Sequence, residues 1–424
     1  MLYKFKKNKF LKNSVLYTVG SMMTPLLGFI MLPVYTNYLS PSEYGVMTTV
    51  QTLVGMLQVF LLLSLHGAVT RFYYDYLEDL KQQKEYLGSI FLFVVFFSTL
   101  AASILLLFNQ FIGAMLFNEI PTYPFYFYMI GLSWLSALFA LPMALIRAQE
   151  KAGFFVTVNI AKAVLIMLLS IYLIVFKGLG AESALLSQLI VTALVVLFLF
   201  IKQSQYLKIS LKVKHIKYSL LFSLPLLPHV ASGWIIKSSD RIILEKFVAL
   251  EELGVYALAA QVSMVLALFY QSVNNALVPR YTMLRKENKE KEAEKLLKIF
   301  LIVIISFGVL SIPIAMLGAY LLSSDAYNRA IWLIPFLIIA QIIKGLYYVP
   351  VAGLFYIKET KSIATSSSVA AVINLVINFL LIPIIGIYGA IISTVTAELI
   401  RIALIYRAKS TLKIGAQYSY ANEG

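Results

Sequence analysis

The sequence has no cysteine, only three histidines and few charged residues for its length. The absence of cysteine excludes disulfides, thiolate catalysis and cysteine-ligated metal sites. The histidines, at positions 66, 215 and 229, are scattered, so a histidine metal cluster is not predicted. Charged residues make up 13% of the 424 residues, about half the share that soluble proteins carry. We therefore predict neither a resident metal nor a cofactor.

The sequence consists largely of long apolar segments. Hydrophobic residues make up 60% of the chain. Windows of about 20 residues, enough to cross a bilayer, can be placed almost end to end from Phe10 to Ile405. This pattern predicts an all-α polytopic membrane protein with about twelve transmembrane helices. The predicted spans lie near residues 11–39, 43–70, 87–112, 121–146, 154–176, 181–201, 218–246, 252–279, 297–322, 329–356, 363–383 and 388–407.

The formal net charge of +15 is distributed unevenly between the loops. Basic residues collect at the start and in alternate loops, including Lys202 to Lys217 and Arg280 to Lys298, whereas the opposite loops hold Lys177, Lys246 and Arg329. This distribution follows the positive-inside rule, so both termini are predicted to be cytoplasmic. Topology accounts for the basic charge, and no nucleic-acid partner is predicted.

The two halves of the chain resemble each other at an offset of 209 residues (280 − 71 = 209). SEYGVM from Ser42 matches EELGVY from Glu251, and AVTRFYY from Ala68 matches LVPRYTM from Leu277. Six spans per half give both halves the same orientation, which is a parallel repeat. We predict an N-terminal lobe over residues 1–205, a cytoplasmic linker over 206–217, and a C-terminal lobe with a short cytoplasmic tail over 218–424.

These motifs, together with GVMTTVQTLVGM from Gly45 and SSDRIIL from Ser238, resemble the multidrug/oligosaccharidyl-lipid/polysaccharide exporter superfamily, in particular its Wzx-type flippases. The likeness extends over essentially the whole chain. It implies a MATE-like fold with two six-helix lobes around a central cavity. It also implies that a polyprenyl-diphosphate-linked oligosaccharide, such as an O-antigen repeat unit, moves from the inner to the outer leaflet of a bacterial cytoplasmic membrane by alternating access. Lipid II flippases of this superfamily typically have fourteen spans, so the resemblance together with about twelve predicted spans favours the polysaccharide branch.

Five cations lie inside predicted spans and lack a basic counterpart in the other half. A charge at the bilayer centre costs about 2.5 to 3.5 kcal/mol on insertion scales, so such residues are candidates for function. Four of them are predicted to contact the diphosphate, with Asp240 orienting a cation, and an alternative pairs Lys237 with Asp240 and Arg241 with Glu245 inside one helix. The five cations are Lys162, Lys237, Arg241 and Lys344, the predicted diphosphate contacts, and Arg401.

Other polar residues in the spans each allow two interpretations. Arg71 and Arg280 recur at matching positions and are either headgroup anchors or part of a cavity mouth. His66 and His229 are either packed polar residues or proton relays. Glu398 either pairs with Arg401 or couples transport to an ion, H⁺ or Na⁺, whose identity stays open. Asn374 and Asn378 are predicted to make hydrogen bonds between helices.

Two alternative functions remain beside the polysaccharide flippase. One is a drug or organic-cation exporter of the same fold, whose site should be acidic and aromatic; the other is a lipid II type flippase. A membrane glycosyltransferase would need catalytic acids or histidines on a substantial outer loop, and the outer loops are short. We therefore predict a transporter and not an enzyme. Its predicted partners are the lipid-linked oligosaccharide, the phospholipid bilayer and other polysaccharide-assembly proteins.

Overall fold

The computed structural model describes residues 16, 17, 20, 22 and 25–422, with side chains through residue 408. This part of the chain forms α-helices joined by short turns and contains no β-strand. The helices are α1 Leu32–Tyr38, α2 Pro41–Leu62, α3 Leu65–Phe72, α4 Leu80–Leu107, α5 Asn109–Leu116, α6 Thr122–Ala148, α7 Ala152–Ile171, α8 Glu182–Gln203, α9 Val213–Ser223, α10 Leu227–Phe247, α11 Leu250–Lys286, α12 Glu290–Leu322, α13 Asn328–Tyr356, α14 Thr360–Ile385 and α15 Ile387–Asn422.

Eleven helical stretches of the described residues are long and apolar enough to cross a membrane. They coincide with the second to twelfth predicted spans, and the first, near 11–39, lies partly outside the described residues. The prediction of an all-α, multi-pass membrane protein is confirmed. The span Val213–Phe247 combines α9 and α10, which are joined by a 3-10 turn at Leu224–Leu226 that contains Pro225.

The helix boundaries of the second half follow those of the first at nearly constant spacing. Helix α2 begins at Pro41 and α11 at Leu250, an offset of 209 (250 − 41 = 209). The turn that follows α6 contains Glu150 with a φ of 54°, and the turn that follows α13 contains Lys358 with a φ of 63°. An irregular backbone conformation therefore recurs at an offset of 208 (358 − 150 = 208).

The chain divides into two compact units, residues 1–234 and 235–424. The predicted boundary of the halves lies earlier, in the linker 206–217, and stays a prediction. The first unit extends beyond this linker because α9 packs on α3 and α4. Phe72 of α3 contacts Tyr218 and Phe222 at ring-centroid distances of 4.4 and 5.2 Å, and the Tyr86 hydroxyl of α4 lies 3.2 Å from Ser219 Oγ.

The second predicted span is wrong in one respect, because it is not continuous to residue 70. Helix α2 ends at Leu62, and α3 begins at Leu65. Leu63 and Ser64 between them have φ values of 50° and 56°, a left-handed conformation that residues with a Cβ rarely adopt. No glycine or proline marks the break, and periodicity therefore predicted an unbroken helix. The second half has no such break, since α11 runs from Leu250 to Lys286.

We expect Ser64→Gly to stabilise the protein. Glycine adopts a positive φ without steric cost, and the Ser64 hydroxyl is buried with no hydrogen-bond partner among the described residues. The expected gain is about 1 kcal/mol, seen as a higher Tm in detergent. Ser306→Gly in the middle of α12 is the control and should lower Tm, because its backbone is helical. A lower Tm for Ser64→Gly would contradict the strained conformation.

In the second unit, helices α11, α12 and α13 meet around Tyr270. Its ring is 1% exposed, and its hydroxyl donates a hydrogen bond to the Ile304 carbonyl at 2.5 Å. A Cβ added at Gly308 or Gly345 would lie 2.6 Å from the Tyr270 hydroxyl or 2.8 Å from its ring. These two glycines therefore make room for the aromatic side chain.

Candidate functional site

Lys162 lies in the first unit, in the middle of α7. It is half-buried, and its Nζ lies 4.1 Å from the centre of the Phe139 ring on α6. This is a cation–π contact, which stabilises an ammonium group without neutralising its charge. Among the described residues no carboxylate lies within ion-pair distance of Lys162, so the charge is available to an anionic ligand.

One face of α10 presents His229, Gly233 and Lys237 at helical spacing, and all three are exposed. Asp240, predicted for the same face, is instead buried against α11. Its carboxylate accepts hydrogen bonds from the Tyr256 hydroxyl and from the backbone N–H of Arg241. The structure therefore separates the acid from the exposed lysine.

The pairing within α10 that the sequence also allowed is not formed. In the described structure no ion pair within 4 Å joins Lys237 to Asp240 or Arg241 to Glu245. The Glu245 carboxylate lies 3.5 Å from Lys246 Nζ. Arg241 is half-buried, and its Nε has no hydrogen-bond partner among the described residues. Lys237 and Arg241 thus keep capacity for an anion.

In the second unit, Arg401 is bound by neighbouring side chains, whereas Lys344 is not. The Arg401 guanidinium lies 3.4 Å from Glu398, 3.6 Å from the centre of the Tyr347 ring, and donates to Ser367 Oγ at 3.2 Å. Lys344 is half-buried on α13 and makes no hydrogen bond or ion pair with a described residue. It lies close enough to Glu398 and Lys237 for electrostatic interaction.

The charges of this region therefore do not balance. Apart from the buried Glu245, which lies beside Lys246, the region has four cations, on α10, α13 and α15, and two buried acids, Asp240 and Glu398. Asp240 is satisfied by Tyr256 and Arg241, while Glu398 uses one oxygen for Arg401 and leaves Oε1 without a hydrogen-bond partner in the described structure. The excess positive charge suits an anion. The four cations are Lys237, Arg241, Lys344 and Arg401.

A buried amide network lies next to these charges. Asn374 of α14 accepts from Ser239 at 3.2 Å and from Asn378 at 3.1 Å, and it donates to Ser393 of α15 at 3.0 Å. The bonds to Ser239 and Ser393 connect three helices, as predicted for Asn374. Asn378 bonds within its own helix in the described structure, so the interhelical bond expected for this residue is not seen.

The remaining candidates lie towards helix ends. Arg71 is exposed at the end of α3 and pairs with Asp75 at 2.7 Å, which raises the pKa of the guanidinium. Arg280 is exposed on the last turns of α11. His66 is half-buried, and its Nδ1 has no hydrogen-bond partner in the described part of the chain. These positions leave the anchor and cavity-mouth interpretations of the two arginines open.

We expect Tyr256→Phe to destabilise the protein by about 1 to 3 kcal/mol, because the buried Asp240 carboxylate would lose its only side-chain donor in the described structure. Thermal unfolding in detergent measures this loss. Tyr388→Phe is the matched control: its side chain is 54% exposed and has no described hydrogen bond, so Tm should stay constant. Equal Tm values for the two variants would contradict a structural role for the Tyr256 hydroxyl.

The side chains that contact these charges are not apparent from the sequence. Tyr256, Tyr347, Ser367 and Phe139 were not predicted as site residues. The repeat could have identified Tyr256, because Met47 occupies its matching position in the first half. Asp240, to which the Tyr256 hydroxyl donates, likewise has no acidic counterpart there. Nothing in the spacing identifies Tyr347 or Ser367, since their contacts depend on how three separate helices pack.

The fold is that of multidrug and flippase transporters. A structure of the lipid II flippase MurJ, in an inward closed conformation, matches with a TM-score of 0.76 at 15% identity and covers 93% of this chain and 87% of that one. An inward-facing MATE family transporter of the MOP superfamily matches with a TM-score of 0.72 at 15% identity and covers 95% of this chain and 99% of that one. The predicted MATE-like fold is confirmed.

The sequence places the chain within a family. Residues 10–285 match the family described as polysaccharide biosynthesis protein, and the chain belongs to that family. Lsg locus protein 1 of Haemophilus influenzae is 24% identical, with 86% of this chain and 89% of that protein aligned. The probable low-salt glycan biosynthesis flippase Agl15 of Haloferax volcanii is 21% identical, with 96% of this chain and 85% of that protein aligned. The predicted superfamily resemblance is thereby confirmed.

Proposed function

We propose that this protein is a Wzx-type flippase, which moves a polyprenyl-diphosphate-linked oligosaccharide from the inner to the outer leaflet of a bacterial cytoplasmic membrane. The family and the glycan flippase among the relatives support a glycan substrate. Surface polysaccharide assembly, with other assembly proteins as partners, would use the translocated unit.

The observation that carries this proposal is that Lys237 and Lys344 lie deep within their spans without a described carboxylate in contact. Each lies about 15 Å or more from the nearer end of its span, counted at 1.5 Å per residue. Neither is neutralised by a described carboxylate within 4 Å, although such a charge is costly in a membrane. A diphosphate would supply the missing negative charge, and charge-assisted hydrogen bonds to it are strong in a medium of low dielectric constant.

The substrate would load and leave by alternating access of the two halves to the two sides of the membrane. Lys162 and Lys344 lie nearest the middle of their spans and would receive the diphosphate. Lys237 and Arg241 lie nearer the Phe247 end of their span and would hold it later. The positive-inside rule supports cytoplasmic termini. We propose that an ion gradient or the membrane potential drives the cycle, with Glu398 as the candidate coupling carboxylate.

Flipping by the purified chain in lipid vesicles tests this function. A fluorescent polyprenyl-diphosphate oligosaccharide is placed in both leaflets, and its accessibility to an external quencher is followed while each gradient is applied or collapsed. We expect transport of this lipid and none of organic-cation dyes, because the free charges of the site are positive. Transport of the dyes alone would support the drug-exporter alternative, and equal transport of lipid II would support the lipid II alternative.

A further inference from the structure

The linker, residues 206–217, joins α8 to α9 and includes the first residues of α9. It exposes lysines and large apolar side chains side by side. Ile209 is 90% exposed, Leu211 64% and Val213 71%. Lys212, Lys214 and Lys217 are exposed between and beside them. The linker contains no acidic residue. Such a mixture is unfavourable in water, where apolar side chains of this size are normally covered.

The linker is nevertheless fixed in place. The backbone N–H of Lys208 donates to the Lys84 carbonyl at 3.0 Å, and that of Lys212 donates to Ser89 Oγ at 3.0 Å. The His215 ring lies 3.2 Å from the Tyr76 hydroxyl. The exposed apolar side chains are therefore presented by an anchored backbone.

This surface lies at the level where two spans begin. Val213 is the first residue of one candidate span and Leu80 the first of another. The linker runs along α4 from Lys84 to Ser89, the first turns of that second span. Apolar side chains at this depth meet the boundary between lipid headgroups and acyl chains, where lysine ammonium groups reach the phosphates.

Three of the four lysines have no competing partner. Lys208 is paired with Glu85 at 2.7 Å, whereas Lys212, Lys214 and Lys217 form no ion pair with a described acid. The other large basic loop differs, because Arg285 pairs with Glu290 at 3.2 Å and Lys289 with Glu287 at 2.9 Å. Part of the charge of that loop is compensated by these pairs, whereas Lys212, Lys214 and Lys217 of the linker form no described ion pair and lie beside exposed apolar side chains.

We propose that the linker is a binding surface for anionic phospholipids of the adjoining leaflet. Lys212, Lys214 and Lys217 contact lipid phosphates, and Ile209, Leu211 and Val213 enter the headgroup region. The apolar side chains favour a lipid over a free phosphate or an acidic soluble protein. The proposal is independent of which lipid-linked sugar the protein transports.

Lipid titration of the detergent-solubilised full chain tests this surface. We expect phosphatidylglycerol to bind more tightly than phosphatidylcholine at low salt. The triple variant Lys212→Gln, Lys214→Gln, Lys217→Gln should weaken phosphatidylglycerol binding by about a hundredfold, since each lysine near an anionic surface contributes about fivefold. The control triple variant Lys289→Gln, Lys291→Gln, Lys295→Gln should change it less than threefold, and higher salt should reduce the lipid preference.

The absence of cysteine allows a second measurement, which does not depend on variants of the lysines. A nitroxide attached to Leu211→Cys should be at headgroup depth in phosphatidylglycerol vesicles, judged by oxygen and water-soluble quenchers. A label in bulk water, an unchanged lipid preference in the linker triple variant, or equal competition by inorganic phosphate would each overturn the proposal. None of these measurements uses the lipid-linked oligosaccharide, so failure here is distinguishable from failure of the proposed function.

Discussion

Replacing Lys344 by glutamine should lower the flipping rate of the lipid-linked oligosaccharide by at least tenfold, and Lys237→Gln should have a similar effect. Each variant loses a charge-assisted hydrogen bond to the diphosphate, which contributes about 1.5 to 3 kcal/mol. The double variant should lose more than either single variant. Flipping in vesicles at equal reconstituted protein measures these rates.

Stability separates this result from a folding defect. Lys344 makes no described hydrogen bond or ion pair, so its removal relieves the cost of an uncompensated charge within a span. Tm should therefore stay constant or rise in Lys344→Gln and Lys344→Met while transport falls. Lys344→Arg should retain part of the activity. Lys177→Gln is the control and should leave transport unchanged, because Lys177 is exposed in the turn before α8. Normal transport by Lys344→Gln would exclude this lysine from the site.

Gly88→Ala should have the largest effect on stability among the single-methyl substitutions in the first unit. A Cβ at Gly88 would lie 1.8 Å from the Lys208 carbonyl oxygen and 2.8 Å from its carbonyl carbon. Both are backbone atoms, and Lys208 is fixed by its hydrogen bond to Lys84. The linker must move away from α4, at an expected cost of about 1 to 3 kcal/mol. Thermal unfolding should show a lower Tm.

Gly153→Ala on α7 is the matched control, because no described atom outside its own helix lies within 4 Å of an added Cβ. Alanine favours a helix over glycine by about 1 kcal/mol, so this variant should keep or raise Tm. If Gly88→Ala behaved like Gly153→Ala, the close approach of the linker to α4 would be wrong. In the Leu211→Cys background, Gly88→Ala should also change the depth of the nitroxide, because it displaces the same backbone.

The sequence predicted most of the fold because its apolar runs are long and the bilayer fixes their length. The internal repeat predicted that α2 and α11 correspond. The superfamily motifs agreed with the predicted spans and with the repeat. The break at Leu63 and Ser64 was not predictable, because neither residue signals a turn and their conformation is imposed by packing. By contrast, the start of α4 at Leu80 has a signal in the sequence, because Asp79 caps the helix and accepts backbone hydrogen bonds from Lys81 and Gln82. Those bonds lower the pKa of the Asp79 carboxyl group.

For the candidate site, the sequence identified charges but not their partners. Comparison of the halves selected the cations as residues without a basic counterpart in the other half. The distinction between Arg401, which is held by Glu398 and Tyr347, and Lys344, which is not, required the packing of α13 and α15. The same holds for Asp240: helical spacing placed it beside Lys237, but the Tyr256 hydroxyl of a neighbouring helix binds it.

Equilibrium binding of the polyprenyl lipid tests the central claim most directly. The affinity of the full chain in detergent is compared for the polyprenyl diphosphate and the corresponding monophosphate, with no sugar attached, in wild type and in Lys344→Gln. If free cations in the spans receive the diphosphate, it should bind at least tenfold more tightly than the monophosphate, and Lys344→Gln should remove most of that difference. Equal affinities in the wild type, or a difference unchanged in the variant, would contradict the account.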